Sequence, residues 1–103
     1  MLDLTNSDLR IVHGILARSA PGVNVLVYGS RVKGSAKKFS DLDLALDAGS
    51  PIHSSVMGEL KLALSESDLP IKVDVIDLND VSEPFREMVM RQAIPLPPAT
   101  SAD

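Results

Sequence analysis

Two aspartates, Asp41 and Asp43, stand two residues apart in a run that alternates strictly in polarity, Asp41-Leu42-Asp43-Leu44-Ala45-Leu46. In an extended strand, residues two apart share a face and lie about 7 Å from each other. Two carboxylates that close raise each other's pKa unless they share a cation. Hard divalent ions such as Mg²⁺ take oxygen ligands, commonly one or two protein carboxylates with phosphate oxygens and water completing the shell. Asp74 is a third acid, placed between Val73 and Val75 in a later apolar run. An acid there has a desolvation cost unless it is paired or solvated. Three acids on adjacent strands can build a two-metal site for displacement at phosphorus. The same Asp-x-Asp pair could equally be the solvated polar face of an edge strand. Asp77 competes with Asp74 for the third position but points to the opposite side of its strand, and Asp47 reads as the end of its strand.

Upstream of the pair, the apolar run Val23–Tyr28 leads directly into Gly29-Ser30. Glycine at a strand end permits positive φ and close backbone approach, and such a turn can present N–H groups and a hydroxyl to an anion. Gly29 and Gly34 have the spacing of a P-loop, but Ser35 and Ala36 stand where its Lys and Ser/Thr belong, so that motif is excluded. The Rossmann glycine pattern is also absent. Arg31, Lys33, Lys37 and Lys38 follow within one acid-free stretch. Such a stretch is either a local anion site or a solvated loop.

These residues need elements to hold them. Thr5-Asn6-Ser7-Asp8 has the form of a capping box, and Leu9, Val12, Ile15 and Leu16 follow at helical spacing until Pro21-Gly22. A buried strand is predicted over Val23–Tyr28, a loop with one helical turn over 29–40, and an alternating strand over Asp41–Leu46. Ser50-Pro51 reads as an N-cap with proline at the first helical position, opening a helix with Ile52, Val56, Leu60 and Leu64 inward. A third strand is predicted over Ile71–Leu78, and a last helix starting at Ser82-Glu83-Pro84. Pro95, Pro97 and Pro98 then stop regular structure. The order predicts an α/β (α+β) domain with one small mixed sheet flanked by helices. Residues 1–96 form that domain and residues 97–103 a flexible tail. His13 and His53 lack spaced companions and read as structural or solvated. Met90, Ile94 and Leu96 either complete the core or offer an apolar contact surface.

The chain has 103 residues, 45% of them hydrophobic, and no cysteine. Thiolate catalysis, disulfides and zinc–thiolate sites are therefore excluded. A net charge of −4 and 3% aromatic residues argue against a basic or base-stacking nucleic-acid binder. With the four cations of the 31–38 stretch set aside, 6 basic side chains face 14 acidic ones. No apolar run has the length of a membrane span, and the N-terminus lacks a signal-peptide pattern. A cytoplasmic protein with no membrane contact is expected.

Gly29-Ser30, then ten residues, then Asp41-Leu42-Asp43, resembles the signature of the DNA-polymerase-beta-like nucleotidyltransferases. The strings from Tyr28 to Gly34 and from Ser40 to Leu44 look like the minimal nucleotidyltransferases, short versions of that core fold, and the likeness spans nearly the whole chain. The resemblance implies that Gly29, Ser30, Arg31 and Ser40 contact a nucleoside triphosphate. It also implies that Asp41, Asp43 and Asp74 are the catalytic and metal-binding residues for two Mg²⁺ ions, with ATP as substrate. It further implies an antitoxin that transfers AMP to a tyrosine of a HEPN ribonuclease toxin, as a homodimer or a hetero-oligomer with it. Other readings are an antitoxin that neutralises by contact alone, or a nucleotidyltransferase subunit for a small-molecule or RNA acceptor. The absence of a separate acceptor-binding domain favours a protein acceptor.

Overall fold

The computed structural model describes residues 4–34 and 40–100. Helix α1 (Asn6–Ser19) leads into strand β1 (Asn24–Tyr28), the single turn α2 (Ser30–Lys33) and strand β2 (Leu42–Asp47). Helix α3 (Ser54–Ser65), strand β3 (Val73–Asp77), helix α4 (Glu83–Gln92) and the two-residue strand β4 (Ile94–Pro95) complete the order. The sheet runs β3-β2-β1-β4. β1 is antiparallel to both β2 and β4, whereas β2 and β3 are parallel and joined by α3. The mixed sheet expected from the sequence is therefore present, with one more strand than predicted.

Alternation in β2 divides the molecule into two layers. Leu42, Leu44 and Leu46 face α1 and α3, where they meet Val12, Ile15, Leu16, Leu60 and Leu64 in the larger core. Asp43 and Ala45 face the other way, toward α4. There Ala45 packs with Tyr28, Leu78 and Val89, and Phe85 and Met88 close over them. Tyr28 and Phe85 meet edge to face with ring centroids 6.4 Å apart. Fully burying one such leucine is worth roughly 1.5–3 kcal/mol, so the all-leucine face of β2 anchors the sheet and leaves its other face free for polar residues.

Helix boundaries follow local chemistry. Thr5 caps α1, its hydroxyl accepting from the Asp8 amide at 3.1 Å, and Ser82 caps α4 through the Phe85 amide. The start of α3 differs from the Ser50-Pro51 expectation. The Ile52 amide donates to Asp77 Oδ2 at 2.7 Å, which draws residues 51–53 toward β3 in a non-helical path. The cap passes to His53, whose Nδ1 accepts from the Ser55 amide at 3.1 Å. The prolines do not end regular structure at 94. Proline is compatible with an edge strand, and Pro95 pairs opposite Leu26 on the outside of the sheet.

Residues 97–100, the described part of the tail, make hydrogen bonds to α1. The His13 Nε2 atom lies 2.7 Å from the Pro97 carbonyl oxygen. The Asn6 amide side chain both accepts from the Thr100 amide at 2.8 Å and donates to its carbonyl at 3.1 Å. Residues 101–103 lie outside the described residues. Ile94 and Leu96 pack on the core, whereas Met90 is exposed. No helix among the described residues is long and apolar enough to cross a membrane.

Candidate active site

The register of the sheet assembles the site. Tyr28 on β1 pairs with Asp43 on β2, and Asp43 pairs with Asp74 on β3. Residues directly opposite across a ladder project to the same face, so Tyr28, Asp43 and Asp74 form one row on the side covered by α4. Asp41 stands just before β2 and is exposed, as is Asp74, while Asp43 is half-buried. Asp77 is buried on the opposite face, where its carboxylate accepts from the Ile52 and Asn79 amides. It is thus a structural acceptor, and Asp74 is the acid that joins the row.

The electrostatics follow from this row. Burial pushes the Asp43 carboxyl above the usual carboxylate range, and the negative charges of Asp74 and Asp41 push it further. Burial, again with Asp43 and Asp74, raises the Tyr28 hydroxyl to about 12. Asp47, at the far end of β2, behaves in the opposite way. Hydrogen bonds from the Asn79 side chain and the Gly49 amide hold its carboxyl below the usual range. It closes the strand end, as its position in the sequence suggested.

Among the described residues, no three acid or imidazole side chains already form a closed cation cage. The donor set nevertheless suits a hard divalent cation. Asp41, Asp43 and Asp74 supply only carboxylate oxygens, with Asp74 and Asp41 close enough to raise the Asp43 carboxyl, and such ions draw their remaining ligands from phosphate and water.

Gly29 sits against this cluster. Its φ of 86° and ψ of −159° lie in a region open essentially to glycine. A Cβ placed there would overlap Asp43 Oδ2 and come within 3.2 Å of Asp43 Cγ. The Gly29 carbonyl accepts from the Val32 and Lys33 amides, which folds α2 directly onto the end of β1. Ser30 opens α2 and is half-buried. Arg31 is buried at 7% exposure, and its Nε and Nη2 both donate to the Ser40 carbonyl at 3.1 and 2.9 Å. This clamp joins the two ends of the 31–40 segment and sets the approach to Asp41. Lys33 is exposed, and Lys37 and Lys38 lie outside the described residues.

One residue of the site was not anticipated. Gln92, the last residue of α4, accepts the Gly29 N–H at 2.9 Å through Oε1. A contact between positions 63 residues apart leaves no local pattern, so only the fold reveals it.

A phosphate-turn candidate at the end of β1 and carboxylates in register on β2 and β3 define a nucleotidyltransferase core. The polymerase beta nucleotidyltransferase family matches residues 12–97, and the chain belongs to that family. Among its relatives is a probable protein adenylyltransferase, MntA, of Haemophilus influenzae. It is 47% identical over 90 residues, which span 87% of this chain and 79% of that protein. A crystal structure of a toxin–antitoxin with AMP-PNP contains a chain of similar fold, with a TM-score of 0.73 and 25% identity over 91% of this chain and 75% of that one. The tri-AMPylated HEPN toxin of Shewanella oneidensis in complex with an MNT antitoxin supplies a further match. Its TM-score is 0.65 over 91% of this chain and 73% of that one, and at 21% identity it shows the shared fold alone.

Proposed function

We propose that this chain is a Mg²⁺-dependent antitoxin. In this reading it transfers AMP from ATP to a hydroxyl, specifically a tyrosine, of a cognate HEPN ribonuclease toxin and so neutralises it. The observation that carries this reading is the row of Asp43 and Asp74, paired in register beside a glycine turn that only glycine can occupy. A chain that neutralised by contact alone would have no need to keep mutually repelling acids in one place.

In the reaction, the acceptor oxygen forms a bond to the α-phosphorus of ATP, the bond to the β-phosphate breaks, and pyrophosphate departs. Asp74 is exposed at the edge strand and takes the proton of the acceptor hydroxyl. Asp41, Asp43 and Asp74 would hold two Mg²⁺ ions, which when bound stabilise negative charge on the attacking and leaving oxygens. Ser30 binds the β- and γ-phosphates at the turn that Gly29 opens, where Gly29 contributes close backbone approach rather than its N–H, which Gln92 holds. Arg31 serves this indirectly by clamping Ser40, and Lys33 adds positive potential at the mouth of the site.

The test is incubation with labelled ATP, Mg²⁺ and the protein encoded by the adjacent gene, followed by intact-mass measurement. A gain of whole AMP units on the partner is expected. Tight binding with no change in mass would overturn the transfer reading and select neutralisation by contact. The double variant Asp41→Ala with Asp43→Ala should lose transfer and keep its fold, and retained transfer would refute the metal assignment.

A further inference from the structure

We infer that Gln92 is a positioning residue for nucleotide binding, acting through the backbone of Gly29. The inference rests on the nucleotidyltransferase reading above. Three independent features converge on this pair. First, the Gly29 amide cannot be satisfied by the sheet, because β1 ends at Tyr28 and the chain turns through a φ of 86°. Gln92 Oε1 supplies the acceptor at 2.9 Å. Second, the Gln92 side chain is oriented from both ends. Its Nε2 donates to Met88 Sδ one turn earlier on α4. The chain after it is pinned by the pairing of Ile94 and Pro95 with β1. Third, Gly29 packs against the Asp43 carboxylate, so a shift of Gly29 moves the phosphate turn and a metal-binding acid together.

The consequence is that α4 is more than a lid on the small core. Its last residue fixes where Gly29-Ser30 stands relative to Asp43. The Gly29 N–H is already engaged, so this amide is not the donor that faces a phosphate. That role is left to Ser30, because the Val32, Lys33 and Gly34 amides are engaged within the turn as well.

Two variants separate positioning from packing. Gln92→Met keeps length and helix propensity and removes the amide oxygen, and Gln92→Glu keeps an acceptor at the same reach. Amide hydrogen exchange of Gly29, melting temperature, and affinity for AMP-PNP with Mg²⁺ are measured on the full chain. In Gln92→Met the Gly29 amide should lose protection while β2 amides keep theirs, and AMP-PNP should bind roughly tenfold more weakly. In Gln92→Glu the Gly29 protection should return. Unchanged Gly29 protection in Gln92→Met, or lost protection with wild-type AMP-PNP affinity, would overturn the inference while leaving the proposed function intact. A wild-type chain that binds no AMP-PNP would overturn both.

Discussion

Replacing Gly29 by alanine tests the site at its tightest point. Two costs can be separated. The backbone at φ 86° and ψ −159° is a region where any other residue costs about 1–3 kcal/mol. The added methyl would also overlap Asp43 Oδ2 and stand 3.2 Å from Asp43 Cγ, so the carboxylate must swing away. For a domain of this size, 1 kcal/mol corresponds to a fall of roughly 4–8 °C in melting temperature. Gly29→Ala should therefore melt roughly 5–20 °C lower and still be folded at room temperature. Transfer should suffer far more, because a misplacement of about 1 Å can cost on the order of a hundredfold in rate. Gly34→Ala is the matched control. Its φ is 81°, yet among the described residues nothing lies within 4 Å of the added Cβ. It should show the backbone penalty of about 1–2 kcal/mol with transfer unchanged. The measurements are thermal unfolding and AMP transfer to the partner for both variants. Equal losses of transfer in the two would refute the argument that Gly29 matters through Asp43.

Further outcomes follow from the same geometry. The folded-state pKa of Asp43 is raised, so the folded state holds more protons than the unfolded one just above pH 3.8. Stability of the metal-free protein should then fall as pH rises through that window. Asp43→Asn should accordingly melt higher than wild type at neutral pH, with the gain fading below pH 3.8, and should lose transfer. Asp47 has the opposite sign: its lowered pKa adds stability at neutral pH that is lost as acid titrates it. Asn79→Ala, which removes the main cause of that shift, should flatten this part of the acid-unfolding curve. Thr5→Ala removes the α1 cap and should cost about 1 kcal/mol in thermal unfolding without altering transfer. Tyr28→Phe should leave transfer at neutral pH unchanged, because the hydroxyl is raised to about 12 and stays neutral there.

The parts legible in the sequence were those with a strong period or a steric signature. The alternation of β2 showed which leucines were buried and that Asp43 faced away from them. The Gly29-Ser30 turn and the acid pair were visible as types at a spacing. Three features were not legible, each because its cause lies far along the chain. The α3 start depends on Asp77 accepting the Ile52 amide. Strand β4 depends on β1 offering an edge to Pro95. The partner of Gly29 depends on where α4 ends. The cationic stretch after Ser30 misleads differently. Arg31 belongs to a cationic run, but its buried guanidinium binds the Ser40 carbonyl, a role that charge counting cannot distinguish from phosphate attraction.

The arrangement of the two sheet faces explains why the acids can persist. Carboxylates that repel one another and lose solvation are a net cost to the folded state. The cost falls on the α4 side, whereas the opposite face carries the fully buried Leu42, Leu44 and Leu46. Because successive residues of one strand alternate between the faces, β2 holds its own acids in place. The Asp43 backbone cannot shift without dragging Leu42 and Leu44 out of a closed core, although its side chain can rotate. A divalent cation that offsets the repulsion should stabilise the native state in proportion to its occupancy. Adding Mg²⁺ should therefore raise the melting temperature of the wild type. It should do so much less in Asp43→Asn, where the repulsion has already been removed. An equal rise in both would mean that the cation binds elsewhere, and that the row of acids is not its site.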